Sequence, residues 1–332
     1  MDSVALVEFA RRLIDVDSTT GREGDVAALL AGELRALGYL VTTQPLKDGR
    51  ANVIATVGDP VVTFSTHFDC VPPFFPSRIE GGALYGRGSA DAKGILAAQV
   101  AASERLRRSG DTRVGLLFVA GEERGSDGAQ AANTLPTSSK FLINGEPTDN
   151  RLAVATRGVY RLRLNATGRA AHSSRPELGE SAIDKLIDAL VALRDVEWPQ
   201  DPVLGRTYYT TGLISGGVAP NVISPHASAE VMFRTVGDHV MIRHLVDAAV
   251  EPWVTPEDIL VVPPVRLMTM DGFETAVFSF TTDIPFLSHW GAPLLLGPGA
   301  VEEAHTDHEH VALSELNLAV DRYEQLARRL LD

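Results

Sequence analysis

Three short apolar runs in this chain stop at residues able to hold a proton or a metal ion, and those endings constrain the fold more than any other feature. Val61-Val-Thr-Phe-Ser-Thr66 reads as a buried, β-branched strand that runs into His67, Asp69 and Cys70. Gly115-Leu-Leu-Phe-Val-Ala120 ends in Gly121-Glu122-Glu123, and Lys140-Phe-Leu-Ile143 ends in Asn144-Gly145-Glu146. In open α/β sheets, ligands bind outside the carboxyl ends of parallel strands, so three such endings predict one convergent site. Their His, Asp and Glu residues suggest a metal.

The rest of the pattern supports a sheet. Helices fit Val4–Ile14 and Glu23–Leu37, the second stopped by Gly38, and strands fit 40–43, 52–57 and 61–65. A glycine-rich loop, Leu84–Gly94, opens into an alanine-rich helix over Ile95–Arg108. A strand at 114–120, a helix at 126–133 and a strand at 140–144 continue a βα alternation, which predicts a mostly parallel sheet with helices on its faces. Past Glu146 the rhythm becomes βαββαβ, through strands starting at Tyr160, Thr207, Ala227 and Ile259 and helices at 181–193 and 239–250. That is the ferredoxin-like order. It predicts a smaller domain, residues 157–268, inserted into a main α/β domain of residues 1–156 and 269–332, which resumes at the strand Pro293–Leu296 and closes with a helix over Ser314–Leu331.

A length of 332 residues accommodates two such domains, and 45% hydrophobic with 22% charged residues is a soluble globular composition. A formal net charge of −13 excludes the basic footprint that nucleic acid or an anionic membrane requires. Cys70 is the only cysteine, so there is no intrachain disulfide. No apolar run reaches the roughly 18 residues of a membrane span and no secretory signal pattern opens the chain, so the expected location is the cytoplasm. Glycine loops before helices often cradle phosphate. This one matches neither nucleotide fingerprint, and Asp91 in its middle would repel phosphate unless a cation intervened.

His67, Asp91, Glu123, Glu146 and His305 are the candidate ligands. Five nitrogen and oxygen donors exceed one tetrahedral ion and suit two ions sharing a bridging carboxylate. Asp69, two residues beyond His67, can reach back to the imidazole and fix its tautomer. Of the adjacent Glu122 and Glu123, one can bind metal while its neighbour holds a proton. Taken singly each has a plainer explanation: a histidine after a strand is more often structural, and Glu122-Glu123 could be a solvated turn.

Together, His67-Phe-Asp69-Cys-Val-Pro72, Gly86-Arg-Gly-Ser-Ala-Asp91-Ala-Lys-Gly94, Gly121-Glu-Glu123, Gly145-Glu-Pro-Thr148 and Ala304-His-Thr306 resemble the di-zinc aminoacylase, acetylornithine deacetylase and succinyl-diaminopimelate desuccinylase family of metallohydrolases, which also holds carboxypeptidases and dipeptidases. The resemblance implies that His67 and Glu146 hold one zinc, Glu123 and His305 the other, and Asp91 bridges them through a residue joined to Ala92 by a cis peptide. It makes Asp69 the orienter of His67, and Glu122 the general base for a bridging hydroxide that attacks an amide carbonyl. In the inserted domain, which it makes the dimerisation domain of a homodimer, His172 would stabilise the oxyanion. Arg234 and Asn221 would hold a substrate carboxylate, with Gly299 also at the substrate.

The activity so implied is hydrolysis of an N-acyl amino acid, acetylornithine deacetylase-like and hence belonging to arginine biosynthesis. Succinyl-diaminopimelate desuccinylase, a lysine-pathway aminoacyl hydrolase and a dipeptidase stay open. Cobalt or manganese would suit the donors as well as zinc. His308 and His310 are alternative ligands to His305, although a surface place is the plainer expectation for both. A catalytically silent dimer that binds amino acid derivatives is the reading from another class, and Glu122 argues against it.

Overall fold

The computed structural model describes residues 1–332, and the chain divides into two compact units. The first comprises Met1–Val154, Leu267–Ala276 and Thr282–Asp332, and the second Ala155–Arg266 and Val277–Thr281.

The first unit opens with α1 (Ser3–Ile14), where the Asp2 carboxylate accepts the Ala5 amide at 2.8 Å as an N-cap. Leu6, Phe9, Leu13 and Ile14 form its buried stripe. Next come α2 (Gly24–Ala36), β1 (Leu40–Pro45), β2 (Ala51–Thr56), β3 (Val62–His67), two short strands β4 (Arg78–Glu80) and β5 (Ala83–Tyr85), α3 (Lys93–Arg108), β6 (Val114–Val119), α4 (Asp127–Ala132) and β7 (Phe141–Asn144). The chain leaves along β8 (Leu152–Thr156).

The second unit contains β9 (Gly158–Thr167), α5 (Ala182–Ala192), the small hairpin of β10 (Gln200–Asp201) and β11 (Gly205–Arg206), then β12 (Tyr208–Gly216), β13 (His226–Thr235), α6 (His239–Val250), β14 (Thr255–Val262) and β15 (Val265–Arg266). Its antiparallel sheet has the order β12-β13-β9-β14. Burial alternates residue by residue along β9 and β13, as expected of a sheet with one face covered. Tyr160, Leu162, Val231 and Phe233 on that face pack with Leu186 of α5 and Ile242 and Val246 of α6. The edge strand β12 is different: it is exposed along nearly its whole length.

After β16 (Thr275–Phe278), the first unit is completed by β17 (Ala292–Leu295), β18 (His310–Ala312) and α7 (Leu313–Leu331). Its main sheet has the order β1-β2-β6-β3-β7-β17. β6, β3, β7 and β17 are mutually parallel, whereas β1, β2 and β6 pair antiparallel. The antiparallel edge follows from the link between β1 and β2, whose few residues permit a hairpin but no crossover. α3 is buried over almost its entire surface, lodged between α1, α7 and the sheet. β18 pairs with β5, His310 opposite Tyr85, which holds the segment after His305 against the glycine-rich loop.

Candidate metal centre

The three adjacent parallel strands β6, β3 and β7 deliver the first donors side by side. His67 is the last residue of β3, Glu122 and Glu123 lie in a single 3-10 turn just past β6, and Glu146 stands two residues past β7. Gly121 makes the turn possible, because its φ is +82° and a Cβ there would lie 2.1 Å from Asp127 Oδ1. Asn52 secures the same strand end by accepting the Ala120 amide at 3.1 Å and donating to the Gly128 carbonyl at 2.8 Å. Asp91 comes from the glycine-rich loop at the start of α3, and its peptide bond to Ala92 is cis, as expected. His305 reaches the group from the loop between β17 and β18 with a φ of +64°. For a histidine this left-handed backbone costs of the order of 1–3 kcal/mol, a strain found mostly where function demands it.

Two trios of donor atoms result, His67 with Asp91 and Glu146, and Asp91 with Glu123 and His305, each within 4.8 Å of one another. Asp91 faces both, one oxygen to each: Oδ1 lies 2.9 Å from His67 Nε2 and Oδ2 lies 3.3 Å from His305 Nε2. Glu146 Oε2 stands 3.9 Å from His67 Nε2, and Glu123 Oε1 stands 2.9 Å from His305 Nε2. His67 is nearly fully buried, whereas the His305 side chain is half exposed.

The donors fit cations. His67 Nδ1 lies 3.1 Å from the Asp69 backbone carbonyl, which only an N–H can satisfy, so in the neutral ring Nε2 turns a lone pair toward two carboxylates. A proton or a metal ion must stand between them. Without metal it is a proton: burial would push His67 down, yet Asp69, Asp91 and Glu146 hold it well above its usual value. Asp91 and Glu123 likewise drive His305 up to about 10. Burial would raise Asp91, but its contacts with His305 and His67 outweigh it and hold the carboxyl well below the usual range. Burial pushes Glu146 far up, and its Oε1 has no hydrogen-bond partner. This surplus of poorly compensated carboxylate is what a pair of divalent ions would neutralise.

Glu122 lies beside this group and makes no hydrogen bond through its carboxyl, which is held well above the usual range first by burial and then by Asp283, Glu123 and Asp69, against the pull of His67. Asp69 departs in part from expectation. Its backbone carbonyl, rather than its carboxylate at 3.4 Å, is the nearer partner of His67 Nδ1. The carboxylate accepts the amides of Glu122 at 3.0 Å and Glu123 at 3.2 Å, and the Thr20 hydroxyl at 3.0 Å. It therefore shapes the Glu122 turn as much as it orients the imidazole. Burial pushes the Cys70 thiol up to about 12, leaving it no part as a nucleophile.

Of the other expected residues, Gly299 donates its amide to Glu315 at 3.0 Å, and a Cβ on it would lie 3.3 Å from the Cβ of Ala90, the residue before Asp91. His308 and His310 turn instead to Glu303, at 3.6 and 3.2 Å, and the His310 ring stacks on Tyr85. Neither belongs to the two trios. Within the second unit, His172 is exposed and bonded to Ser174 Oγ at 2.8 Å; it pairs with Val222 in an isolated antiparallel bridge, and the adjacent Ser173 amide donates to the Asn221 carbonyl at 3.0 Å. Arg234 lies in β13, opposite Tyr208 of β12 and Val159 of β9. Two carboxylates escaped sequence reasoning. Glu309 is fully buried on Arg87, and Asp283 is fully buried near Ser126 without a well-formed hydrogen bond, its carboxyl pushed up to about 7 by burial.

A family model described as peptidase family M20/M25/M40 matches residues 63–329, and the chain belongs to that family. A peptidase M20 domain-containing protein of Schizosaccharomyces pombe is 34% identical over 334 residues, covering 97% of this chain and 84% of its own length. A probable carboxypeptidase of Aspergillus terreus is 35% identical over 368 residues, covering 96% of this chain and 85% of its own. Among solved structures, aminopeptidase PepT from Bacillus cereus superposes with a TM-score of 0.83 at 20% identity over 100% of both chains. A dinuclear metal binding peptidase of the M20 family from Bacillus subtilis superposes with a TM-score of 0.73 at 15% identity, over 99% of this chain and 98% of its own. This chain is thus an M20-family hydrolase with the mixed α/β fold of those peptidases. No helix is long and apolar enough to cross a membrane.

Proposed function

We infer that the protein is a two-metal hydrolase that cleaves the amide bond before a C-terminal amino acid, in a dipeptide or short peptide. The observation that carries this is Asp91, which turns one carboxylate oxygen to each of two donor trios. His67, Asp91 and Glu146 would hold one divalent ion, and Asp91, Glu123 and His305 the other. Such a pair, when bound, polarises a carbonyl and makes water a nucleophile at neutral pH. Glu122, its carboxyl raised by burial, is suited to take the proton of the attacking water and pass it to the leaving nitrogen. Zinc is the metal proposed, and cobalt or manganese would suit the same donors.

The relatives named as carboxypeptidases move the substrate preference toward peptides. N-acyl amino acids, acetylornithine among them, are the second reading, favoured by the Gly145-Glu-Pro-Thr148 ending of β7. The roles that the resemblance gives His172, Asn221 and Arg234 belong to the same proposal. So does a homodimer formed through the second unit, supported by the exposed edge strand β12 with Leu213 and Ile214 about two-thirds exposed.

The test is a matched panel of dipeptides, their C-terminal amides and N-acetyl amino acids, assayed before and after chelation. Activity on the free acids that disappears on chelation and returns with zinc is expected. Hydrolysis untouched by exhaustive chelation, or equal on amides and acids, would overturn the reading.

A further inference from the structure

The glycine-rich loop at residues 86–91 has the form of an anion cradle, and the protein fills it with a carboxylate of its own. One oxygen of Glu309, Oε1, accepts the backbone amides of Gly88, Ala90 and Asp91, each at 3.0 Å. The other, Oε2, takes the Arg87 guanidinium at 2.6 Å. Glu309 is 0% exposed and Arg87 is 2% exposed. The backbone adds a further tie, because the Glu309 carbonyl accepts the Gly86 amide at 3.2 Å. Gly88 has a φ of +90° and room for no Cβ, which would sit 2.7 Å from Cys70 Sγ. Converging amides from such a turn bind phosphate in other proteins. Here the anion is covalently attached, more than two hundred residues away in sequence.

Glu309 lies four residues beyond His305, and the amide of Asp91 itself is among its three donors. The carboxylate therefore joins the loop that carries the shared ligand to the loop that carries the last one. We propose that Glu309 is a positioning residue for the metal pair: as a built-in anion in the 86–91 loop it fixes Asp91 so that each oxygen faces its own trio. A loop without this anion leaves three buried amides without an acceptor and the Arg87 guanidinium held only by the Pro73 carbonyl and the Phe75 ring, and relaxes by moving Asp91. The proposal rests on the two-metal reading above.

Glu309→Gln tests it, because the amide keeps the shape while removing the charge and turning a donor toward either Arg87 or the loop amides. Metal-free wild type and variant are titrated with cobalt(II) and followed by its visible absorption, with thermal unfolding measured alongside. Two ions per chain are expected for the wild type. For the variant, at least tenfold weaker binding of the second ion and at least tenfold lower kcat are expected. Leu326→Ala, a truncation of the buried core of α7, should lower the unfolding temperature and leave both cobalt affinities unchanged. In Glu309→Ala, formate in place of chloride should restore the second ion, since it returns a carboxylate to the vacated cradle.

A variant that binds both ions with wild-type affinity would overturn the proposal. If neither variant folds, amide exchange on the metal-free wild type decides, with protection of Gly88, Ala90 and Asp91 expected and free exchange counting against it. A wild type that takes up no cobalt sinks the two-metal reading instead, and the same exchange measurement still judges the anion-filled loop.

Discussion

Replacing Asp69 with asparagine should damage the site without touching any metal donor. The fully buried carboxylate serves three donors at 3.0–3.2 Å, the amides of Glu122 and Glu123 and the Thr20 hydroxyl, and lies 3.4 Å from His67 Nδ1. An asparagine keeps one acceptor oxygen and turns an NH2 toward whichever donors the other oxygen served. About one charged hydrogen bond, worth roughly 1.5–3 kcal/mol, is lost. Leaving a buried N–H unsatisfied adds about 1–3 kcal/mol, for a total of about 2.5–6 kcal/mol, a fall of roughly 5–24 °C in Tm for a unit of this size. The catalytic effect is separate. The turn that aims Glu122 and Glu123 loosens, and changes to groups that orient metal ligands typically cost about 10–100-fold in metal affinity or activity. Calorimetric unfolding, zinc titration and kcat on a common preparation measure all three. An Asp69→Asn protein with wild-type zinc affinity and kcat would refute the assignment, whatever happened to its Tm, because stability alone can fall for reasons unrelated to the turn.

Glu122→Gln should keep two metal ions per chain while lowering kcat by about a hundredfold or more, the usual loss for a general base; near-normal turnover would remove Glu122 from that role. Zinc binding at pH 7 should release protons, because His67 and His305, the latter near 10, are protonated in the metal-free site and must lose that proton to bind. Affinity should therefore climb as pH rises from 6 toward 10, and titration calorimetry in two buffers of different ionisation heat would expose a flat, proton-neutral response if this is wrong. Leu213→Lys with Ile214→Glu on β12 should convert a dimer to monomers in sedimentation, and an unchanged dimer would place the interface elsewhere.

What could be read from the sequence was local. The β3 run is rich in β-branched residues, and the β6 and β7 runs are apolar and run into glycine at Gly121 and Gly145, so their strands and the ligands at their ends stood out before any contact was known. The βαββαβ rhythm of the second unit was legible for the same reason, since β9 and β13 alternate cleanly. Glu309 was invisible because its neighbours, Asp307, His308 and His310, make it look like solvated loop. Its burial depends on amides that only the tertiary fold brings near. Asp283, preceded by Thr281-Thr282, offered no signal for a similar reason. β4, β5 and β18, at three residues each, are shorter than any period that could announce them. The second function of Asp69 needed the turn after β6 to be placed against β3, a relation between strands rather than within one.

The order in which the donors occur along the chain has a consequence during synthesis. His67, Asp91 and Glu146 are all present before the second unit begins, so the ribosome could release one trio early. The other waits for His305, and its anchor Glu309 follows four residues later, after the whole insert has been made. Chains emerge N-terminus first at roughly 5–20 residues per second, so about ten to thirty seconds separate the two events. Throughout that interval the nascent protein carries one of the two donor trios, and the two-metal hydrolysis proposed above would stay silent until His305 and Glu309 have been added.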